Sequence, residues 1–439
     1  SSRNIIIEGI NIISNPADNG KTKDTALEID DGKSSNWEGG TCTLPNANIT
    51  VRNCMIGSNG FTGMHVNGVG NLVFENNVFN LSYSLEGIED ADTKNNIIGW
   101  GASVKFLECK DIKFVRNNLW GAHNTTLWLQ QIENALFYNN VFWNNNTIAG
   151  NTRAIRIYKQ YNGNNQITPN HIAFLYNTFY VKDGSTTDNH SFDFISSECA
   201  KADECHDIGS VTFLYNNCYS YDPDLGKKSG SWQSKFNGTN HFCPNNFWSK
   251  YDFDNNNKTS VFELESCDDA EFINVSNYLC ETSIAGPASL VVKQPEDAAD
   301  AGLKTALPVS LDQVKGYCNL QNITDADIKA DRYRNYIRKG NKWTYGAYEA
   351  TSSNAVNTIY WVGGYSSDWD YRANWSWINS DGVAQQLSCV DNLNENLKIV
   401  IPRRYSNSGY PVSTTGKYFY PKIPDNFSSD ARQSATIDE

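Results

Sequence analysis

Four side chains in this sequence are of the types that handle acidic sugars: His65, Lys105, Trp128 and Arg156. Each stands between two apolar residues, namely Met64/Val66, Val104/Phe106, Leu127/Leu129 and Ile155/Ile157. Asp193, between Phe192 and Phe194, continues the series. Period-two alternation puts the apolar pair on one face of a strand and the residue between them on the other. If the strands stack in register, about 4.8 Å apart, Lys105 and Arg156 lie roughly 10 Å apart with Trp128 between them. An indole face suits a sugar ring, and two cations suit a carboxylate or sulfate. The next outward positions include Gln130 and Tyr158, so the candidate ligand-binding set is Trp128, Gln130, Tyr158 and Asp193. The same surface could abstract a proton alpha to a uronate carboxylate. Lys105 would be the base if desolvation lowers its pKa, Arg156 would hold the carboxylate, and His65 would be the acid. Glycoside hydrolysis needs two carboxylates, and Asp193 has no partner on this row. Lysine, arginine, tryptophan and aspartate are also ordinary solvent-facing strand residues, so a purely structural meaning stands beside the chemical ones.

The elements that must position this row repeat. NALFYNNVFW at Asn134 has counterparts at Asn71, Asp111, His171 and Ser210, and a weaker copy at Asn48. Each full copy carries an Asn at the same place: Asn77, Asn117, Asn140, Asn177 and Asn216; Cys54 fills that slot in the weak copy. Two short strands per unit at an irregular period predict a solenoid. The shortest spacing, 23 residues, is about one coil; the longer ones read as coils with inserted loops or a weakly marked extra coil. An Asn repeated in register can stack as a ladder, its amide bonding to the backbone above and below.

Residues 4 to 280 resemble right-handed parallel β-helix proteins, the architecture of pectate lyases, chondroitinase-B-like lyases and many surface adhesins. Chondroitinase-B-like lyases use a Lys and an Arg on this kind of surface, which is a likeness of residue type alone. Further on, PEDAADAG (295–302), DIKADRYR (327–334) and GAYE (346–349) follow one another. They resemble the choice-of-anchor Q closing segment of Bacteroidetes-type surface β-helix proteins, with Ala330 and Asp331 around the usual Gly. That resemblance implies a short irregular segment covering the last open coil. After a linker at 351–357, Trp361, Gly363, Asp368, Trp369, Asn374, Trp375, Ile401, Pro402, Tyr410 and Pro411 fit the pattern of a small β module repeated in Bacteroidetes surface proteins. The expected domains are therefore an all-β parallel β-helix (1–280), its closing segment (281–350), and a small, incomplete β module (358–439).

The 439 residues carry a formal net charge of −13, which disfavours nucleic acid as a partner. Charged residues are 19% and aromatics 13%, a mix that suits a secreted β protein and argues against disorder. No stretch is long and apolar enough to cross a membrane. The chain opens at Ser1 without an initiator Met or signal peptide, which reads as a processed product or fragment. Eleven cysteines without a C-x-x-C predict some disulfides in an oxidising compartment, with Cys42/Cys54, Cys199/Cys205 and Cys267/Cys280 near one another in sequence. Glu86, Glu89, Asp90 and Asp92 could hold calcium through oxygen ligands, but their spacing fits no calcium loop, and a solvated acidic loop is the commoner meaning. No other cofactor is expected, and no metal site. The favoured function is an extracellular or cell-surface, adhesin-like protein that binds a polysaccharide or cell-surface glycan along the β-helix. The alternatives are a lyase of uronate polymers and a structural stalk or filament subunit that self-assembles.

Overall fold

A computed structural model describes residues 4–14, 25–32, 42–58, 62–81, 101–120, 125–146, 152–159, 167–183, 192–199, 209–221, 247–251, 305–306, 308–329, 343–344, 346–347, 356–363, 366–369, 374–378, 384–386, 393–401, 419–422 and 435–437. The chain divides into two compact units. The first comprises Ser1–Asn274, Val309–Ile328 and Tyr345–Ala347; the second comprises Val275–Pro308, Lys329–Thr344 and Tyr348–Glu439.

The first unit is a parallel β-helix of three sheets. Sheet A stacks Ile5–Glu8, Ile49–Arg52, Gly70–Glu75, Lys110–Val115, Glu133–Tyr138, Asn170–Leu175 and Val211–Leu214. Sheet B stacks Asn11–Ser14, Met55–Ser58, Val78–Leu81, Asn118–Trp120, Val141–Asn146, Thr178–Asp183, Asn217–Tyr221 and Phe247–Tyr251. Sheet C stacks Thr25–Asp30, Thr62–Asn67, Ala102–Leu107, Thr125–Gln130, Thr152–Lys159 and Phe192–Cys199. The chain visits A, B and C in turn, and like positions pair in every coil, as in Phe74↔Phe114↔Phe137↔Phe174↔Phe213. Alternation then brings these rings together inside, 4.7 to 5.9 Å between successive centroids. Burying each phenyl contributes about 2 to 3 kcal/mol.

Consecutive repeat copies are adjacent coils, so the long spacings are insertions and no extra coil intervenes. The strand Thr25–Asp30 lies in what reads in the sequence as a polar excursion, and Phe247–Tyr251 extends sheet B beyond the apparent end of the repeat.

Between sheets A and B there are always two residues. The first is left-handed: Gly9, Asn53, Asn76, Arg116, Asn139, Tyr176 and Tyr215 all have φ between 53 and 69°. The second is the ladder residue. Asn77, Asn117, Asn140, Asn177 and Asn216 form the expected column, all fully buried. Each Oδ1 accepts the backbone N–H of the ladder residue one coil back, at 2.8 to 3.0 Å. Each Nδ2 donates to a sheet A carbonyl of that coil: Val51, Phe74, Phe114, Phe137 and Phe174. The turn leaves these backbone groups buried without a strand partner, and a buried orphan is costly. Cys54 is buried in the same slot, its thiol against the Arg52 and Ile7 carbonyls.

Part of the closing segment also belongs to this unit. Helices α1 (Leu311–Cys318) and α2 (Asp325–Lys329) lie along the outer face of sheet A. The reason is apolar: Leu136, Tyr138, Ala173, Leu175 and Leu214 face outward and need cover, which Val314, Cys318, Leu320, Ile323 and Ile328 supply. Tyr138 Oη donates to the Ile328 carbonyl at 2.7 Å. From the GAYE box, the Gly346 and Ala347 N–H groups donate to the Tyr215 carbonyl and to Thr178 Oγ1.

The second unit holds a five-stranded mixed sheet, ordered Ala384–Gln386, Trp375–Ile378, Val356–Trp361, Leu393–Ile401 and Ala435–Ile437. Its first strand starts two residues inside the expected linker. The motif residues build one another. Gly363 has φ 53°, and a Cβ there would meet the Phe419 carbonyl and the Trp361 indole. The Asn374 side chain bonds Ser366 and the Asp368 carbonyl, and Trp361, Trp375 and Trp377 form the buried core.

Among the described residues Cys42, Cys54, Cys109 and Cys318 are free thiols, so the expected closeness of Cys42 and Cys54 is not a disulfide. Cys205, Cys267 and Cys280 lie outside the described residues, as do Glu86, Glu89, Asp90 and Asp92. No described group of three acidic, His or Cys side chains could hold a metal, and no described helix is long and apolar enough to cross a membrane.

Candidate functional site on sheet C

Strand pairing puts His65, Lys105, Trp128 and Arg156 in one row across four adjacent coils, as the sequence predicts. The fifth coil departs from the expectation. Ser196 pairs with Arg156, while Asp193 pairs with Arg153 three positions earlier. The apolar pair read at Phe192 and Phe194 is out of phase, because Ile155 has Ile195 as its partner in the register. Asp193 therefore leaves the row. The carboxylate that stands in this row by register is Glu28, paired with His65 one coil back.

The row is not an open surface. Lys105 and Trp128 are each 1% exposed and Arg156 is 7% exposed. Lys105 Nζ lies 4.7 Å from the centre of the Trp128 ring, and Arg156 Cζ lies 3.9 Å from it. The two cations come from strands on opposite sides of the Trp128 strand. The indole is thus flanked by cations, and its faces present no platform for a sugar. Arg156 Cζ is also 5.0 Å from the Tyr158 ring, which meets Trp128 edge-on at 6.1 Å. Ala102, Leu107 and Trp128 form a small apolar cluster with Tyr158 packed on it. Gln130, buried, occupies the same register position as Leu107 and Tyr158. Each cation–π contact contributes about 2 kcal/mol when desolvated, which offsets part of the cost of burying two like charges.

His65, between Lys105 and Glu28, is a more open member of the row. Burial first, and the Lys105 charge second, push its pKa down to about 4, against a smaller pull from Asp30. Its Nδ1 stands 3.5 Å from Glu28 Oε1, too long for a strong bond. A pKa this low leaves the ring neutral at neutral pH.

No family model matches this chain, and no curated protein matches it. A solved structure that does match is PfbA, a surface adhesin of Streptococcus pneumoniae. The identity is 12%, the TM-score 0.31, and the match covers 58% of this chain and 61% of that one. The chain thus spans less than two thirds of the adhesin chain it matches, and a likeness this slight carries no weight for function.

A second polar cluster, for which the sequence gives little sign, joins the segment Val309–Ile328, a strap laid over sheet A, to that sheet. Asp327 pairs with Lys113 at 2.7 Å and lies 3.9 Å from Arg116, which also pairs with Glu75. Burial pushes the Asp327 carboxyl up, but the Lys113 charge and bonds from Lys113 and Thr324 outweigh it and hold it below the usual aspartate value. Its sequence signal is the T-x-x-D of a helix start (Thr324 to Asp327), where the two residues bond reciprocally.

Proposed function

We propose that this chain is a secreted or cell-surface, adhesin-like protein that binds an acidic glycan, or another acidic surface, along its β-helix. The observation that supports the reading is the meeting of Lys105, Trp128 and Arg156 on one face of three adjacent coils. Two cations held by one indole suit the carboxylates or sulfates of a polymer. Within the buried row Arg156 is the more open of the two cations, at 7% exposed against 1% for Lys105. A glycan array probed with the full chain tests the reading. Retention of acidic glycans, reduced at least tenfold by Lys105→Met, is the expected result. Retention of no glycan, or retention indifferent to Lys105, overturns it.

The burial of the row also favours a second reading, in which the stack is a keystone of a rigid stalk. In that case Lys105→Met leaves every binding property unchanged, and electron microscopy shows fibres. A uronate lyase rests on the Lys105 and Arg156 pair alone. Incubation with uronate polymers, followed by ultraviolet absorbance for new double bonds, decides it.

A further inference from the structure

We propose that the segment Val309–Ile328 is a clasp that opens and closes on the outer face of sheet A as one unit, without disturbing the coils beneath. Three observations carry this. Helices α1 and α2 have eight and five residues, too short to stand alone in water. Once off the sheet, the segment is unfolded, so only its own contacts hold it. Those contacts are of a different kind from those of the coils. The interior cluster of the β-helix contains no residue of the segment, and neither does the Asn ladder. Among the described residues, the segment's hold is a layer of apolar side chains plus a polar catch: Asp327 on Lys113 and Arg116, Tyr138 Oη on the Ile328 carbonyl, and Asn319 Nδ2 on Asn134 Oδ1 at 3.1 Å. Elements of this kind open at free energies below that of global unfolding. Opening bares Leu136, Tyr138, Ala173 and Leu175, an apolar strip in register across two coils.

Hydrogen exchange on the full chain at neutral pH tests the proposal. Amides of 311–318 and 325–328 should exchange at least tenfold faster than those of 112–117 and 135–140. Asp327→Asn, and independently Lys113→Met, should speed the segment at least a further fivefold and leave the coil amides unchanged. The proposal is overturned if segment and coils exchange together in the native chain. It is equally overturned if both variants leave the segment's rate unchanged, or if they speed the coil amides as much as the segment's.

Discussion

Asn140 shows what one side chain does in this fold. Its Oδ1 accepts from the Asn117 N–H, and its Nδ2 donates to the Phe114 carbonyl, both without access to water. Asn140→Ala strands both groups, each costing about 1 to 3 kcal/mol. We expect a loss of about 3 kcal/mol in denaturant unfolding, against a small effect for substitution of the exposed Asn322. His65 gives a second residue-scale test. Its folded pKa, about 4, lies below its unfolded value of 6.5. The unfolded chain therefore binds the proton first as pH falls. The contribution is intact above about pH 6.5 and is lost progressively down to about pH 4, up to roughly 3 kcal/mol. Ring resonances of His65 should stay in the neutral form at pH 5.5; a midpoint near 6.5 would contradict the burial described. Gly363→Ala sets a Cβ on the Phe419 carbonyl in a left-handed turn. It should cost the C-terminal sheet more than about 1 kcal/mol, read from the melting of its tryptophan fluorescence.

At the scale of elements, the strap depends on short-range signals. Ser310 and Gln313 form a capping box, and Asn319 closes α1 in the left-handed region. Ser310→Ala should loosen the strap by about 1 kcal/mol. The groups facing Asp327 are Lys113, Arg116 and, through Arg116, Glu75. Because the Asp327 carboxyl is held below its unfolded value, its contribution is present above about pH 4 and fades as acid protonates it. Below that pH the strap's amides should lose protection relative to their intrinsic exchange rates, while the coil amides keep theirs.

The coils themselves are legible in the sequence because period-two alternation and a recurring Asn each answer one physical need. The strap is not, because S-L-D-Q is a weak signal unless the apolar outer face it covers is known. The row on sheet C is legible as a row through Arg156, since its neighbours alternate cleanly. It fails at Asp193, where two aromatics in Phe192–Phe194 imitate an inward pair. Its burial is not legible at all, because alternation distinguishes the two faces of a strand but not what lies over the outer one.

At the scale of the whole molecule, the first coil ends all three sheets among the described residues. Ile6 and Ile13 there are 66% and 59% exposed. Exposed isoleucines on strands that end a sheet favour edge-to-edge association. Sedimentation of the Ile6→Lys, Ile13→Lys double variant should show less self-association than the native chain, with an unchanged melting temperature. Equal association in both would place the sticky surface elsewhere.

The two-residue corner between sheets A and B also bears on how such a chain can change. Length varies at the other corners: twenty residues separate Leu81 from Ala102, and ten separate Lys159 from Asn170. It never varies where asparagine stacks on asparagine, because a single added residue there would break the bonds to both neighbouring storeys. New loops of almost any size can therefore be grafted onto two edges of the prism, while the third works as a hinge-free spine that keeps every storey in phase.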